Sequence, residues 1–323
     1  MKTITILAPA YNEAKSLPLL VSGIDRLIRG HFSDGRYCVE LLVVNDGSSD
    51  DSLDVLAGLR RQYPFVNYLN LSRNFGKESA LLAGFDYAQG DCVIVMDADC
   101  QHPVDVIPEM VKCWEEGYDD VYGERITRGK ESFVRKKLSL AYYKMLQKST
   151  KIDILPNVGD FRLLDRRCVD LLRQMRETQR YSKGLFAWIG FRKKAVEFET
   201  AERQCGKSSF SFGGLVRLAV EGVTSYTTAP LRFATLLGLV VSLVAFVYIV
   251  FVLVKTIFWG EPVQGYPTLL CVILFLGGCQ LLALGIIGEY IARIFNESKQ
   301  RPVYVAESLN GQRIERQNER TVG

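Results

Sequence analysis

The 323 residues exceed the usual size of a single domain, so one large domain with an appendage is the starting expectation. A formal net charge of +4 gives no reason to expect nucleic acid as a partner. Eight cysteines without a C-x-x-C pair read as reduced, mostly buried thiols of a cytosol-facing protein, and two histidines, His31 and His102, leave little material for zinc or histidine chemistry.

The chain opens on an apolar strand over residues 3–8, too short for a signal peptide and closed by Pro9. The turn A-P-A-Y-N-E, residues 8–13, follows it, and an amphipathic helix is predicted over 16–28. A strand over 39–44 ends in N-D-G-S-S-D, where Ser48, Ser49 or Asp50 can cap the next helix. Residues 66–69 read as a third strand and 75–88 as its helix. Val93 to Met96 form a fourth strand, four apolar residues too few for a helix, ending in Asp97-Ala98-Asp99 with Gln101 two places on. Residues 121–123 continue the alternation. Strand and helix at this pace predict an α/β domain with a Rossmann-like, mostly parallel sheet and helices on both faces.

Past residue 130 the rhythm changes. Residues 132–149 read as an amphipathic helix with Arg135, Lys136 and Lys137 in its first turns, and 159–164 and 195–198 as two further strands. Residues 210–226 mix apolar side chains with Arg217 and Glu221, as in a helix lying in a membrane interface or a plain surface helix. Residues 233–254 and 268–288 contain no charge, and each is long enough to cross a hydrocarbon core of roughly 30 Å as a helix. Their connection carries only Lys255 and Glu261, whereas Arg217 and Arg232 precede the pair and Arg293, Lys299 and Arg301 follow it. The positive-inside rule then puts both ends in the cytoplasm and the short loop outside. Residues 301–307 can return a strand to the soluble domain. The expected divisions are a catalytic domain over 1–209, an interfacial helix over 210–230, a transmembrane hairpin over 231–292 and a cytoplasmic tail over 293–323.

Neither G-x-G-x-x-G nor G-x-x-x-x-G-K-[ST] is present, so a dinucleotide fingerprint and a P-loop are both unsupported. Several strand ends instead carry acidic groups: Glu13, Asp46, Asp97 and Asp99. In an open α/β sheet such ends line the ligand crevice. Two carboxylates and the amide oxygen of Gln101 suit a hard cation, Mg²⁺ or Mn²⁺, holding substrate phosphates.

The ordered motifs P-A-Y-N-E, N-D-G-S-S-D, S-R-N-F-G-K-E-S-A-L-L-A-G, M-D-A-D-C-Q-H-P, G-D-F-R-L-L-D and R-Q-C-G-K-S-S-F resemble those of family-2 glycosyltransferases of GT-A fold. More closely, the chain resembles the polyprenyl-phosphate branch, the bactoprenol glucosyltransferases and dolichyl-phosphate mannose or glucose synthases, from residue 3 to about 295. The resemblance implies that Pro9, Tyr11 and Glu13 contact the nucleotide, that Asp46 reads its base, and that Lys77 lies in the nucleotide-side loop. It implies that Asp97 touches ribose and metal, with Asp99 and Gln101 as metal ligands at the diphosphate. Arg125, Arg135 and Ser139 would receive the acceptor phosphate, Asp160 would be the sugar-side acid, and Arg203 and Lys207 would sit in a closing loop. Two residues depart from the pattern: Ser209 stands where the family often has a basic residue, and His102, where Asp is common, reads as a structural partner rather than a ligand.

What the resemblance implies is inverting, metal-dependent transfer of a hexose from a nucleotide sugar, UDP-glucose as the specific expectation, to undecaprenyl phosphate at the cytoplasmic face of a bacterial inner membrane. A homo-oligomer is compatible with it. The alternatives are a processive polysaccharide synthase, against which stands the missing Q-x-x-R-W, and a non-catalytic scaffold, against which stand Asp97, Asp99 and Asp160.

Overall fold

The computed structural model describes residues 1–126, 158–178, 180–199, 229–259 and 265–314. The expected basic helix over 132–149 and the expected interfacial helix lie outside the described residues. Two compact units are present: one holds the sheet, its helices and residues 302–314, the other the two long C-terminal helices.

The first unit is built on β1 (Lys2–Ala10), whose residues from Ile4 to Ala8 are all fully buried. A strand hidden on both faces reads as a nearly continuous apolar run, and parallel strands pair on either side of it. Ile4 is in register with Val39 of β2 (Tyr37–Asn45) and with Cys92 of β4 (Cys92–Val95); β3 (Val66–Leu71) extends the parallel set beyond β2. Because successive side chains point to opposite faces, each strand feeds two cores. Ile4, Ile6, Leu41 and Val43 pack under α1 (Leu17–His31), α2 (Ser52–Gln62) and α4 (Ile107–Glu115). Leu7, Leu42 and Val44 pack under α3 (Lys77–Tyr87), α5 (Arg166–Gln174) and α6 (Ser182–Trp188). Helices thus cover both faces, as expected.

The expected mostly parallel direction holds for most of the described strands, with exceptions. The described strands form one sheet in the order β7-β5-β6-β4-β1-β2-β3-β8-β9, with β5 at Asp120–Arg125, β6 at Val158–Asp165 and β7 at Lys193–Phe198. β6 lies antiparallel to β4 on one side and to β5 on the other, so the sheet is mixed, although β5 and β7 run in the same direction as β1 to β4. The physical reason is that an apolar run specifies a buried strand, whereas its direction depends on the connections around it. At the opposite edge β8 (Ala306–Leu309) pairs antiparallel with β3 and turns back as β9 (Gln312–Arg313). Asn310 and Gly311 make that two-residue turn at φ +55° and +80°, the left-handed geometry such hairpins need.

The second unit consists of α7 (Ala229–Trp259) and α8 (Tyr266–Ser298), which pack on each other. Their apolar side chains remain turned outward: Phe246 is 64% exposed, Phe258 73% and Leu281 72%. Among the described residues one stretch, Phe275–Ser298, is long and apolar enough to cross a membrane.

Candidate active site

The topology itself assembles the acidic edge. Parallel β1, β2 and β4 bring their carboxyl ends to one side of the sheet, delivering the 11–13 turn, Asp46 and Asp97. Antiparallel β6 brings its beginning to the same side, so Asp160 arrives opposite Asp97: Val95 is in register with Arg162, two residues inward from each. β5 ends there in Arg125, and a Cβ on Gly159 would stand 4.0 Å from the Arg125 guanidinium.

Lys77, first residue of α3, joins these strand ends. Its Nζ lies 2.5 Å from Asp97 Oδ1 and 2.7 Å from Asp160 Oδ2. Burial opposes the charge on Lys77, but Asp160 and Asp97 outweigh it and hold the ammonium above the ordinary lysine range. Burial likewise works against an ionised Asp160, and Lys77 first, then Lys183, prevail and hold it below the ordinary carboxylate range. Asp160 Oδ1 is buried and has no hydrogen-bond partner among the described residues. An acceptor left without a donor in such a site is a place for an incoming hydroxyl.

Asp97 is fixed from behind. Its backbone N–H donates to His102 Nδ1 at 3.1 Å, and the imidazole stacks on Phe161 with ring centres 4.8 Å apart. His102 is buried, which pushes its pKa down and keeps the ring neutral, as that acceptor role requires. It is a structural partner of the acidic turn. Asp99 Oδ1 accepts from Gln101 N at 3.1 Å across Cys100, whose φ of +61° closes the turn. Asp97, Asp99 and Gln101 therefore share one tight loop. No group of three or more His, Cys, Asp or Glu suited to a metal occurs among the described residues.

On the nucleotide side, Pro9 is half-buried in β1, and Tyr11 is exposed beyond it. Asn12 is held at φ +57°, with its N–H donating to Ser48 Oγ at 2.9 Å. Glu13 accepts from the Ser16 hydroxyl, and its own N–H donates to Ser52 Oγ at 2.9 Å. Asp46 is buried and accepts from the backbone N–H of Phe75 at 2.7 Å and of Gly76 at 2.8 Å. Burial raises its pKa, and those two donors work against that shift. Asp46 thus anchors the loop that leads into Lys77, in line with Gly47, where a Cβ would stand 2.2 Å from the Arg73 backbone. Asp50, one of the three expected caps, accepts from Ser52 N at 3.1 Å at the start of α2.

Three contributors were missed from the sequence. Glu78 accepts from Ser182 N at 2.8 Å and from the Ser182 hydroxyl, which ties α3 to α6, and Lys183 faces Asp160. The only signal was Glu78 standing next to Lys77. Arg135, Ser139, Arg203 and Lys207 lie outside the described residues.

The sequence matches two family models: glycosyl transferase family 2 over residues 5–172 and the GtrB C-terminal hairpin over residues 229–294. A putative glycosyltransferase, CsbB, of Bacillus subtilis is 45% identical over 307 residues, covering 95% of this chain and 92% of that relative. An uncharacterized glycosyltransferase of Synechocystis is 42% identical, covering 95% and 96%. The bactoprenol glucosyl transferase of Shigella phage SfV is 40% identical over 302 residues, covering 94% and 97%. The motif order, the acidic sheet edge and these matches agree: the chain belongs to glycosyl transferase family 2 and is a glycosyltransferase.

Proposed function

We propose that the chain transfers glucose from UDP-glucose to undecaprenyl phosphate, with inversion, at the cytoplasmic face of a bacterial inner membrane. What carries the proposal is that likeness to a bactoprenol glucosyl transferase spans 94% of the chain, the long apolar helices included. A site at the edge of a soluble sheet and an apolar helix pair in one polypeptide are the parts that a water-soluble donor and a lipid acceptor require. α7 and α8 would form a two-span hairpin with its short loop outside and both ends in the cytoplasm.

The donor set fits Mg²⁺ or Mn²⁺, which takes one or two carboxylates plus substrate phosphates rather than a cage made wholly of protein. Asp97, Asp99 and Gln101 would hold the ion, and its chemistry there is to offset charge on the departing diphosphate. Pro9, Tyr11, Glu13 and Asp46 would seat the nucleotide. Arg125, Arg135 and Ser139, with Arg203 and Lys207, would receive the acceptor phosphate, guanidinium groups matching its oxygens in pairs.

Asp160 works in this scheme as a fixed negative charge. A polyprenyl phosphate has a second pKa of about 6, as other phosphate monoesters do, so at neutral pH the nucleophile is already mostly deprotonated. A carboxylate held low by Lys77 is a poor base and has no proton to remove. It instead orients the sugar hydroxyls and favours the positive charge that develops at the anomeric carbon. One oxygen of the phosphate displaces the diphosphate directly, which inverts that carbon.

The donor is tested by offering purified protein several radiolabelled nucleotide sugars with undecaprenyl phosphate. Label from UDP-glucose should become organic-soluble; preferential transfer from another nucleotide sugar would overturn the assignment.

A further inference from the structure

A line of hydrogen bonds crosses the sheet from the C-terminal strand to the donor-side turn. Asn70 Nδ2 donates to Glu307 Oε2 at 2.7 Å. Asn45 Nδ2 donates to Asn70 Oδ1 at 2.7 Å, between two buried amides at the ends of β2 and β3. The Ser48 hydroxyl donates to Asn45 Oδ1 at 2.5 Å, and Ser48 Oγ accepts from Asn12 N at 2.9 Å. Asn12 is the residue at φ +57° beside Tyr11.

The direction of this ladder is not free. A side-chain amide offers a donor at one end and an acceptor at the other, so two stacked amides alone could run either way. An ionised carboxylate only accepts. Glu307 therefore draws the NH₂ of Asn70 outward and turns its oxygen toward Asn45, which turns the Asn45 oxygen toward the Ser48 hydroxyl. Ser48 spends its single proton on Asn45 and leaves a lone pair for Asn12 N–H. Reversed, the ladder would present an NH₂ to Ser48 and compete for that lone pair. Asn12, whose Oδ1 also accepts from Ser49 N at 2.8 Å, would then lose its backbone contact to Ser48, which opposes relaxation from a left-handed conformation that L residues occupy at some cost.

Given the donor-binding role proposed above for the 11–13 turn, we propose that Glu307 is a positioning residue for the nucleotide. It lies 237 residues from Asn70 in sequence, beyond both long helices, and sets the polarity of an amide ladder that holds Asn12. The strand that returns after the helix pair is on this account part of the donor site's support.

The test is calorimetric binding of UDP, with GDP as a second probe, to the full chain in detergent, alongside KM for the lipid phosphate. Glu307→Ala should weaken nucleotide binding roughly 5- to 10-fold, the worth of about one hydrogen bond, and leave the lipid KM unchanged. Glu307→Gln, which still offers an acceptor oxygen, should weaken it only about twofold. Ser48→Ala should match Glu307→Ala, and the double variant should lose no more than the worse single one, because both break one ladder. Unchanged nucleotide affinity in Glu307→Ala, or losses that multiply in the double variant, would overturn the ladder. If Glu307→Ala fails to fold, Glu307→Gln and Ser48→Ala carry the same comparison. A wild-type chain that binds neither nucleotide would instead refute the donor-site assignment itself.

Discussion

Lys77 Nζ lies 2.7 Å from Asp160 Oδ2, joining the start of α3 to the start of β6, and the same ammonium reaches Asp97 at 2.5 Å. One cation thereby sits between two carboxylates that would otherwise repel each other, and it holds Asp160 below the ordinary carboxylate range. Lys77→Met should lower transfer by about 100-fold, the usual scale for losing one preorganised electrostatic group, and Lys77→Arg should recover part of it. Asp160→Asn should cut the rate strongly, and raising the pH from about 7.5 to 9 should not restore it, since the acceptor is already a dianion. A variant rate that climbs about tenfold per pH unit toward wild type would make Asp160 a true base.

The turn that carries Asp99 gives a second expectation. Asp99→Asn should abolish transfer while the protein keeps its fold, because the loop bond from Gln101 N to Oδ1 can persist with an amide. EDTA should mimic the substitution in the wild type, and Mg²⁺ or Mn²⁺ should reverse it. Full activity after EDTA and gel filtration would remove the metal.

Most of the acidic edge was legible in the sequence, because strand ends are marked by an apolar run that stops at a carboxylate. Asp97 could be located in this way, whereas Asp160 came only from the resemblance of its G-D-F-R-L-L-D motif. Their meeting could not, since it depends on β6 running antiparallel to β4, which its apolar pattern does not encode. The role of His102 was legible as structural from its place at the turn, whereas its stacking on Phe161 needed the fold. Asp46 illustrates the opposite case: its type and position suggest a ligand contact, and its two oxygens hold the backbone of Phe75 and Gly76. The Glu307 ladder left no local signal, because its members lie on three different strands and in two separate turns.

Stability away from the site should depend on Asp165. It caps α5, accepting from Arg167 N at 3.0 Å, and also accepts from the Trp114 indole at 2.8 Å. Burial would raise its pKa, but Trp114 and Arg167 hold it below the ordinary value of 3.8. A folded pKa that is depressed gives stability present above the unfolded value and lost as pH falls through the folded one. Asp165→Ala should cost about 1 kcal/mol at neutral pH as a lost cap. The gap in melting temperature between wild type and variant should be constant above about pH 5 and narrow as the medium is acidified below 3.8. A gap that widens on acidification would contradict the assignment.

The orientation of the helix pair is open to chemical labelling. In a cysteine-free background, an impermeant thiol reagent added to intact cells should reach a cysteine placed at Gln264, and should miss one at Ser33 until the cells are permeabilised. Labelling at Ser33 in sealed cells would invert the topology and separate the site from a cytosolic donor.

The most direct measurement compares two lipids that differ by one group. Purified protein receives UDP-glucose labelled in the sugar, together with either undecaprenyl phosphate or undecaprenol, which ends in a hydroxyl. The account predicts that label becomes organic-soluble with the phosphate alone, because in it Asp160 acts as a fixed charge rather than a base and the acceptor is held through its phosphate oxygens. Equal transfer to undecaprenol, or label recovered only as free sugar or a water-soluble polymer, would contradict it.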